Sequence, residues 1–420
     1  MVAFSMPKRL ALFMLLHYFS AGSWFVSLGV YMSKTLGFDA IVGAAYGMAG
    51  LSSMVSSLIA GMAADRYVHA QKLLGFMQLG AGLSLLLLST ITQSPTVFLG
   101  GMLLHYLFVG ASAPLGVSIA FAHLRDPKQQ LPAVRAAGTF GWILAGLTIG
   151  FWQGAALTAW PMRLGACVYL VSSLYAFTLP STPPAARSSE RPNLIGLFGF
   201  DILKGNRDRM LWIFITCIVL LAIPKKFYDS LLNNFLVEKG VSLNLFGLVL
   251  EPTGVLTLGQ VIEALTLLTL PWVIARLGIK WVMVLGMAAW VLRFLLFAFG
   301  YVDRSGILWM ILLGIFLQGL CYDFLFISAQ IWFDQRFGPT RRTRAQSLFN
   351  FLLNGLGVII GANVAGAFFH AMSGGAGQAR NWLPIWLAPA ALAMVLMVVF
   401  ILSFKDRVAP TEGEPHAEPR

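Results

Sequence analysis

The sequence predicts an all-α polytopic membrane protein of twelve transmembrane helices arranged in two six-helix halves. Three observations carry that expectation. Of 420 residues, 58% are apolar and only 11% charged, with a mean hydropathy of +0.78, whereas roughly a quarter of a soluble domain is charged. The apolar residues gather into runs long enough to cross a bilayer, which takes about 20 residues each. The runs come as six, a hydrophilic basic stretch, and six more.

In chain order, the first six spans lie near 10–33, 41–62, 73–92, 96–122, 134–154 and 160–179. Basic residues follow Met1 at Lys8 and Arg9, but the apolar run beyond them is long and lacks a small-residue cleavage site. The first span therefore reads as a retained signal anchor. Residues 180–209 begin Pro-Ser-Thr-Pro-Pro and carry Arg187, Arg191, Lys204, Arg207 and Arg209. Such composition favours extended or turn backbone and reads as a cytoplasmic linker. The second six spans lie near 210–236, 250–275, 281–300, 306–333, 345–371 and 382–404. The expected organisation is thus a six-helix bundle over 1–179, a linker over 180–209, a second bundle over 210–405 and a disordered tail over 406–420, which is rich in Pro, Glu and Gly.

Loop charge orients the chain. With the N-terminus in the cytoplasm, 20 of the 29 Lys and Arg residues fall on that side and five on the other. The positive-inside rule then places both termini in the cytoplasm. The net charge of +12 is explained by topology and implies no nucleic-acid partner. Cys167, Cys217 and Cys321 sit singly in apolar runs, giving no disulfide framework and no metal set. His17 and His105 lack ligand spacing and read as hydrogen-bonded interior residues. Gly357 and Gly361 form a GxxxG step for close helix contact.

Between the second and third spans runs Gly61-Met-Ala-Ala-Asp65-Arg66, which resembles the GxxxD(R/K) loop signature of the major facilitator superfamily. A weaker counterpart, Ala275-Arg276-Leu-Gly278-Ile-Lys280, stands at the equivalent place in the second half. Longer stretches resemble the bacterial nucleoside:proton symporters: Gly22-Ser-Trp24, Val134-Arg135-Ala-Ala-Gly138-Thr139, Gln260-Val-Ile-Glu263, Trp290-Val-Leu-Arg293, Tyr322-Asp323 and Asn354-Gly355. The resemblance implies the major facilitator fold, two halves rocking about a central cavity, and proton-driven nucleoside import. It implies no cofactor beyond the proton as coupling ion, a small-molecule substrate, a place in the bacterial inner membrane and a monomer.

Charges inside hydrocarbon are costly and mark pathways. On the fifth span, Arg135, Thr139 and Trp142 follow at i, i+4 and i+7 and share a face. The resemblance makes them a polar anchor, a hydroxyl and an aromatic wall of the substrate site; a snorkelling Arg135 at the span's cytoplasmic end is the competing reading. On the eighth span, Gln260 and Glu263 share a face at i, i+3, and the family uses this pair in its site. Glu263 reads alternatively as a structural partner of Lys225 or Lys226.

On the tenth span, Gln318 and Tyr322 share a face and Asp323 points about 100° away. The resemblance makes Tyr322 a pocket residue, and Glu263 or Asp323 the proton carrier, since a carboxylate out of water holds its proton more readily. Arg293 offers Asp323 a competing ion pair. The seventh span departs from the family: Lys226 and Asp229 stand where its members carry neutral amides, and Gln318 replaces an aromatic hydroxyl. Lys226 either reaches a ligand's anionic or keto group or neutralises Asp229. The alternative solute is therefore anionic and nucleoside-like, or sugar-like.

Other classes fare worse. A membrane enzyme would need a nucleophile, a metal set or a donor loop, and neither HExxH nor GxSxG occurs. A channel or receptor does not account for buried carboxylates on several spans as directly as a coupled carrier does.

Overall fold

The computed structural model describes residues 5–184, 198–245, 247–302, 305–373 and 380–404. It is helical throughout its core. In the first half the helices are α1 (Met6–Phe25), α2 (Val42–Arg66), α3 (Ala70–Leu88), α4 (Pro95–Val109), α5 (Ser112–His123), α6 (Pro127–Gly150) and α7 (Trp160–Phe177). In the second half they are α8 (Arg209–Glu238), α9 (Pro252–Phe299), α10 (Leu308–Phe316), α11 (Ser328–Asn350), α12 (Val358–Ala371) and α13 (Trp382–Ser403).

Nine helical stretches among the described residues are long and apolar enough to cross a membrane. One of them, α9, is 48 residues long and broken at Gly278, where φ is 76°. Only glycine takes that backbone angle cheaply, so α9 is two spans joined at a tight corner. The shorter or less apolar α2 and α7 occupy the second and sixth expected positions. The whole is consistent with twelve spans. A similar corner at Gly338 (φ 70°) divides α11.

Start signals follow the sequence. Ser94, Asp126, Asp208 and Asn381 each cap a helix through a side-chain oxygen that accepts a backbone N–H. Pro95, Pro127 and Pro161 sit in first turns, where their missing N–H costs nothing. Three π-helical stretches, Tyr31–Thr35, Leu320–Ile327 and Phe351–Gly357, interrupt the regular helix. Hydrophobic periodicity gave no sign of them, and they often mark functional positions. A short antiparallel ribbon pairs Leu243–Leu245 with Leu248–Leu250 in the turn after α8.

Small residues let the two halves approach on the face opposite the N-terminus of α1, called here the far face. A Cβ on Gly254 at the start of α9 would lie 2.8 Å from the Cα of Gly150 at the end of α6, and one on Gly43 would lie 2.8 Å from the Cα of Gly366 in α12. Asn234 donates to the Gly29 carbonyl (3.1 Å) and to Ser33 Oγ (2.9 Å), and Asn233 donates to the Val26 carbonyl (3.0 Å). Arg380 pairs with Asp39 of the first half (2.6 Å) and Glu238 of the second (2.7 Å), while Lys34 also pairs with Glu238 (2.8 Å).

Among the described residues, the polar contacts at the near face do not join the two halves. Each half instead holds one end of the linker: Gln71 of the first accepts from the Thr182 N–H (2.8 Å), and Arg336 of the second pairs with Asp208 (2.9 Å). Lys280 donates to the Ile401 carbonyl (3.0 Å). The junction is therefore closed from mid-depth to the far face. Gly61, Asp65 and Arg66 end α2 as the loop motif requires, but their side chains lie outside the described residues, as does the tail 406–420.

Candidate substrate and coupling site

Polar residues singled out on the seventh to tenth spans contact one another within the second half, and Phe25 brings Trp142 of the fifth span toward Lys226. Phe25, at the end of α1, joins two groups. Its ring centroid is 5.8 Å from that of Trp142 on α6 and 5.9 Å from Lys226 Nζ on α8. Lys226 is buried, at 5% exposure, and pairs with Asp229 Oδ2 at 3.0 Å. The neighbouring Lys225 pairs with the same oxygen at 2.8 Å and stands 5.1 Å from the Tyr322 ring centroid. The Tyr322 hydroxyl donates to Asp229 Oδ1.

A second chain of contacts runs through the second half. Arg293, fully buried, donates from Nε to the Gly314 carbonyl (2.9 Å) and from Nη2 to Gln318 Oε1 (2.9 Å). Gln318 then donates from Nε2 to Glu263 Oε2 (3.0 Å). The guanidinium lies over Tyr228, 4.1 Å from its centroid, and near Trp290 at 5.0 Å. Desolvated cation–π contacts of this kind contribute about 2 kcal/mol, and Arg293 Nη1 has no hydrogen-bond partner among the described residues. Tyr228, Trp290 and Tyr322 pack on one another, tying both chains into one unit.

Several expectations are refined here. Lys226 does neutralise Asp229, but it shares that carboxylate with Lys225, whose part the spacing left open. Glu263 has Gln318 as its partner, with no ion pair to either lysine among the described residues. Arg293 forms no ion pair with Asp323 among the described residues; its donors go to Gly314 and Gln318 instead. Asp323 is 2% exposed, with Oδ2 free of hydrogen bonds among the described residues. Gln318 meets Glu263 and Arg293, while Tyr322, in the π turn from Leu320, meets Asp229.

On α6, Arg135 and Thr139 are exposed and Trp142 is half-buried. The helix runs antiparallel to α9, with Gly146 against Thr257. Trp142 and Gln260 therefore lie about one turn nearer the near face from that contact, and Thr139 and Glu263 about two. Gln260 is half-buried and makes no hydrogen bond among the described residues. His17 and His105 are buried and hydrogen-bonded, His17 to Gln78 (2.9 Å) and His105 to the Ala81 carbonyl (3.0 Å). Among the described residues no group of His, Cys, Asp and Glu could hold a metal ion.

Phe25, Tyr228 and the Arg380 cluster escaped sequence reasoning. Phe25 and Tyr228 look like ordinary apolar-run residues, and no spacing connects Arg380 with Asp39 across 341 positions.

Membrane-spanning helices in two groups, joined on one face and holding ionised side chains where the groups meet, define a secondary transporter of the major facilitator fold rather than an enzyme. The chain belongs to the nucleoside H+ symporter family, whose model matches residues 4–409. It is similar to YegT of Escherichia coli, 31% identical over 412 residues, covering 95% of this chain and 93% of that protein. It is 29% identical over 409 residues to the xanthosine permease of the same organism, covering 96% of each. A crystal structure of a mutant of the nucleoside transporter NupG superposes with a TM-score of 0.86 at 26% identity, covering 96% of this chain and all of that one.

Proposed function

We propose that this protein imports nucleosides together with protons by alternating access, binding substrate where α1, α6, α8, α9 and the π turn after α10 meet. The observation that carries the reading is the pairing of a closed far face with ionised, partly exposed side chains at mid-depth. Such an arrangement gives a site access to one side at a time. Residues 1–179 and 210–405 act as the two rocking bundles, with 180–209 as the tether and 406–420 as a tail. The far face is outward, both termini are cytoplasmic, and the protein works as a monomer in the bacterial inner membrane.

Within the site, Arg135, Thr139 and Trp142 line the α6 wall and Gln260 the α9 wall. Lys226, Asp229, Gln318 and Tyr322 form the opposite polar surface. Glu263 and Asp323 carry coupling. Asp323 is almost dry and has an oxygen with no hydrogen-bond partner among the described residues, which leaves that oxygen available to a proton. Asp65 and Arg66, with Gly61, govern the near-face hinge.

Uptake of radiolabelled uridine and adenosine into proteoliposomes, with and without an inward proton gradient, tests this directly. Gradient-dependent accumulation is expected. Uptake that ignores the gradient would overturn coupling, and no nucleoside uptake by folded protein would overturn the substrate.

A further inference from the structure

The regular helix of α1 ends at Phe25, although the backbone stays right-handed through Val26 (φ −72°, ψ −34°) and Ser27 (φ −85°, ψ −14°), and a short helical turn resumes over Leu28–Val30. The interruption has a visible cause. In an unbroken helix the Gly29 N–H would donate to the Phe25 carbonyl four residues back. Here it donates to the Tyr46 hydroxyl at 3.1 Å, and that hydroxyl donates to the Phe25 carbonyl at 2.9 Å. One side chain of α2 is thus inserted into the hydrogen-bond ladder of α1, an arrangement that bends a helix where it occurs. Tyr46 is 1% exposed, so water does not compete for either bond.

The opened turn also carries the contacts of Phe25 and the grip of the second half. The Phe25 ring meets the Tyr46 ring edge to face, with centroids 5.2 Å apart at 81°, and reaches Trp142 at 5.8 Å and Lys226 Nζ at 5.9 Å. The Val26 and Gly29 carbonyls accept from Asn233 and Asn234 of α8. Gly29 leaves no room for a side chain there, since a Cβ would lie 2.8 Å from Asn234 Oδ1 and 2.9 Å from the Ser230 carbonyl oxygen.

Resting on the substrate site proposed above, we infer that Tyr46 is a positioning residue for the nucleoside: its hydroxyl holds the α1 ladder open between Phe25 and Gly29 and so fixes the Phe25 ring between Trp142 and Lys226. A base entering between α6 and α8 packs against that ring. Without the hydroxyl, the Gly29 N–H and the Phe25 carbonyl are left to pair with each other, the turn tightens, and the ring is carried from its place. Because the two freed groups satisfy one another, no buried polar group is orphaned and stability is spared. Affinity and stability therefore separate, which a purely structural hydroxyl would not allow.

The test is calorimetric binding of uridine to the full-length purified protein, with thermal unfolding measured on the same samples. Tyr46→Phe keeps the ring and removes only the hydroxyl. It is expected to weaken binding about fivefold or more, with a melting temperature within about 2 °C of wild type. Phe25→Leu should weaken binding to a similar degree. Adding Tyr46→Phe to Phe25→Leu should then change affinity less than about twofold, since the hydroxyl has no ring left to place. Wild-type affinity in Tyr46→Phe would overturn the inference while leaving nucleoside binding standing. A large fall in its melting temperature, or failure to fold, would make the hydroxyl a structural group and overturn it too. So would a further fivefold loss in the double variant, because the hydroxyl would then act on something other than Phe25. No uridine binding by the folded wild-type protein would overturn the substrate reading and this inference with it.

Discussion

Gly254 and Gly150 pass so closely at the far face that a Cβ on Gly254 would lie 2.8 Å from the Cα of Gly150, and the Glu251 N–H donates to the Gly150 carbonyl at 2.8 Å. Two glycines are the condition for this approach. Any larger side chain at Gly254 must push α6 and α9 apart, at a cost of about 1–3 kcal/mol. Gly254→Leu is therefore expected to hold the far face open. Uptake should fall about tenfold or more, and a cysteine placed at Thr257 in a cysteine-free background should gain reactivity toward an impermeant thiol reagent. Unchanged uptake with unchanged labelling would show that this contact does not limit closure.

Arg380 binds the halves by charge where the glycines do so by shape. It spans Asp39 and Glu238, stands 3.5 Å from the Phe369 centroid, and keeps a side-chain exposure of 8%, so screening by water is slight. Arg380→Ala is expected to shift the equilibrium toward an open far face by about 1.5–3 kcal/mol. Labels placed on the α1–α2 turn and at the start of α13 would report this as a longer distance distribution. A distribution identical to wild type would mean that Lys34 and the asparagine contacts suffice.

Gln318 connects a buried cation to a carboxylate, since it accepts from Arg293 and donates to Glu263. Gln318→Ala removes both bonds without supplying water, so a loss of about 1.5–3 kcal/mol in stability is expected. Gln318→Glu should retain folding by pairing directly with Arg293, yet it places a second acid beside Glu263. Thermal unfolding in detergent, together with the pH profile of uptake, distinguishes the two variants. Equal melting temperatures for wild type and Gln318→Ala would show that the connection contributes nothing.

Coupling should separate from translocation at the carboxylates. Asp323→Asn and Glu263→Gln are each expected to lower proton-driven accumulation about tenfold or more in the residue that carries the proton. Exchange of labelled for unlabelled nucleoside should persist. Full accumulation in both variants would remove the proton from these positions.

Many residues of the candidate site can be picked out in the linear chain. Arg135, Gln260, Glu263 and Asp323 announce themselves because an ionisable or amide side chain in an apolar run is too costly to be accidental. The Lys226–Asp229 pair was readable from helical spacing alone. What spacing missed on the tenth span is the π turn itself and the partners around it, Arg293 and Glu263 for Gln318 and Asp229 for Tyr322. Regular helical geometry, assumed throughout, contains no warning of that.

Composition, run length and loop charge determined by themselves that this chain crosses the membrane many times in two groups, because hydrocarbon admits only long apolar helices and loop cations resist crossing. Local spacing determined which side chains share a helix face. Which helices meet, and so which charge answers which, was decided only in three dimensions. Arg380 with Asp39, Gln318 between Arg293 and Glu263, and two lysines on one aspartate depend on distances across the bundle. Those distances are set by glycine-scale packing between helices far apart in the chain, and no local pattern encodes them.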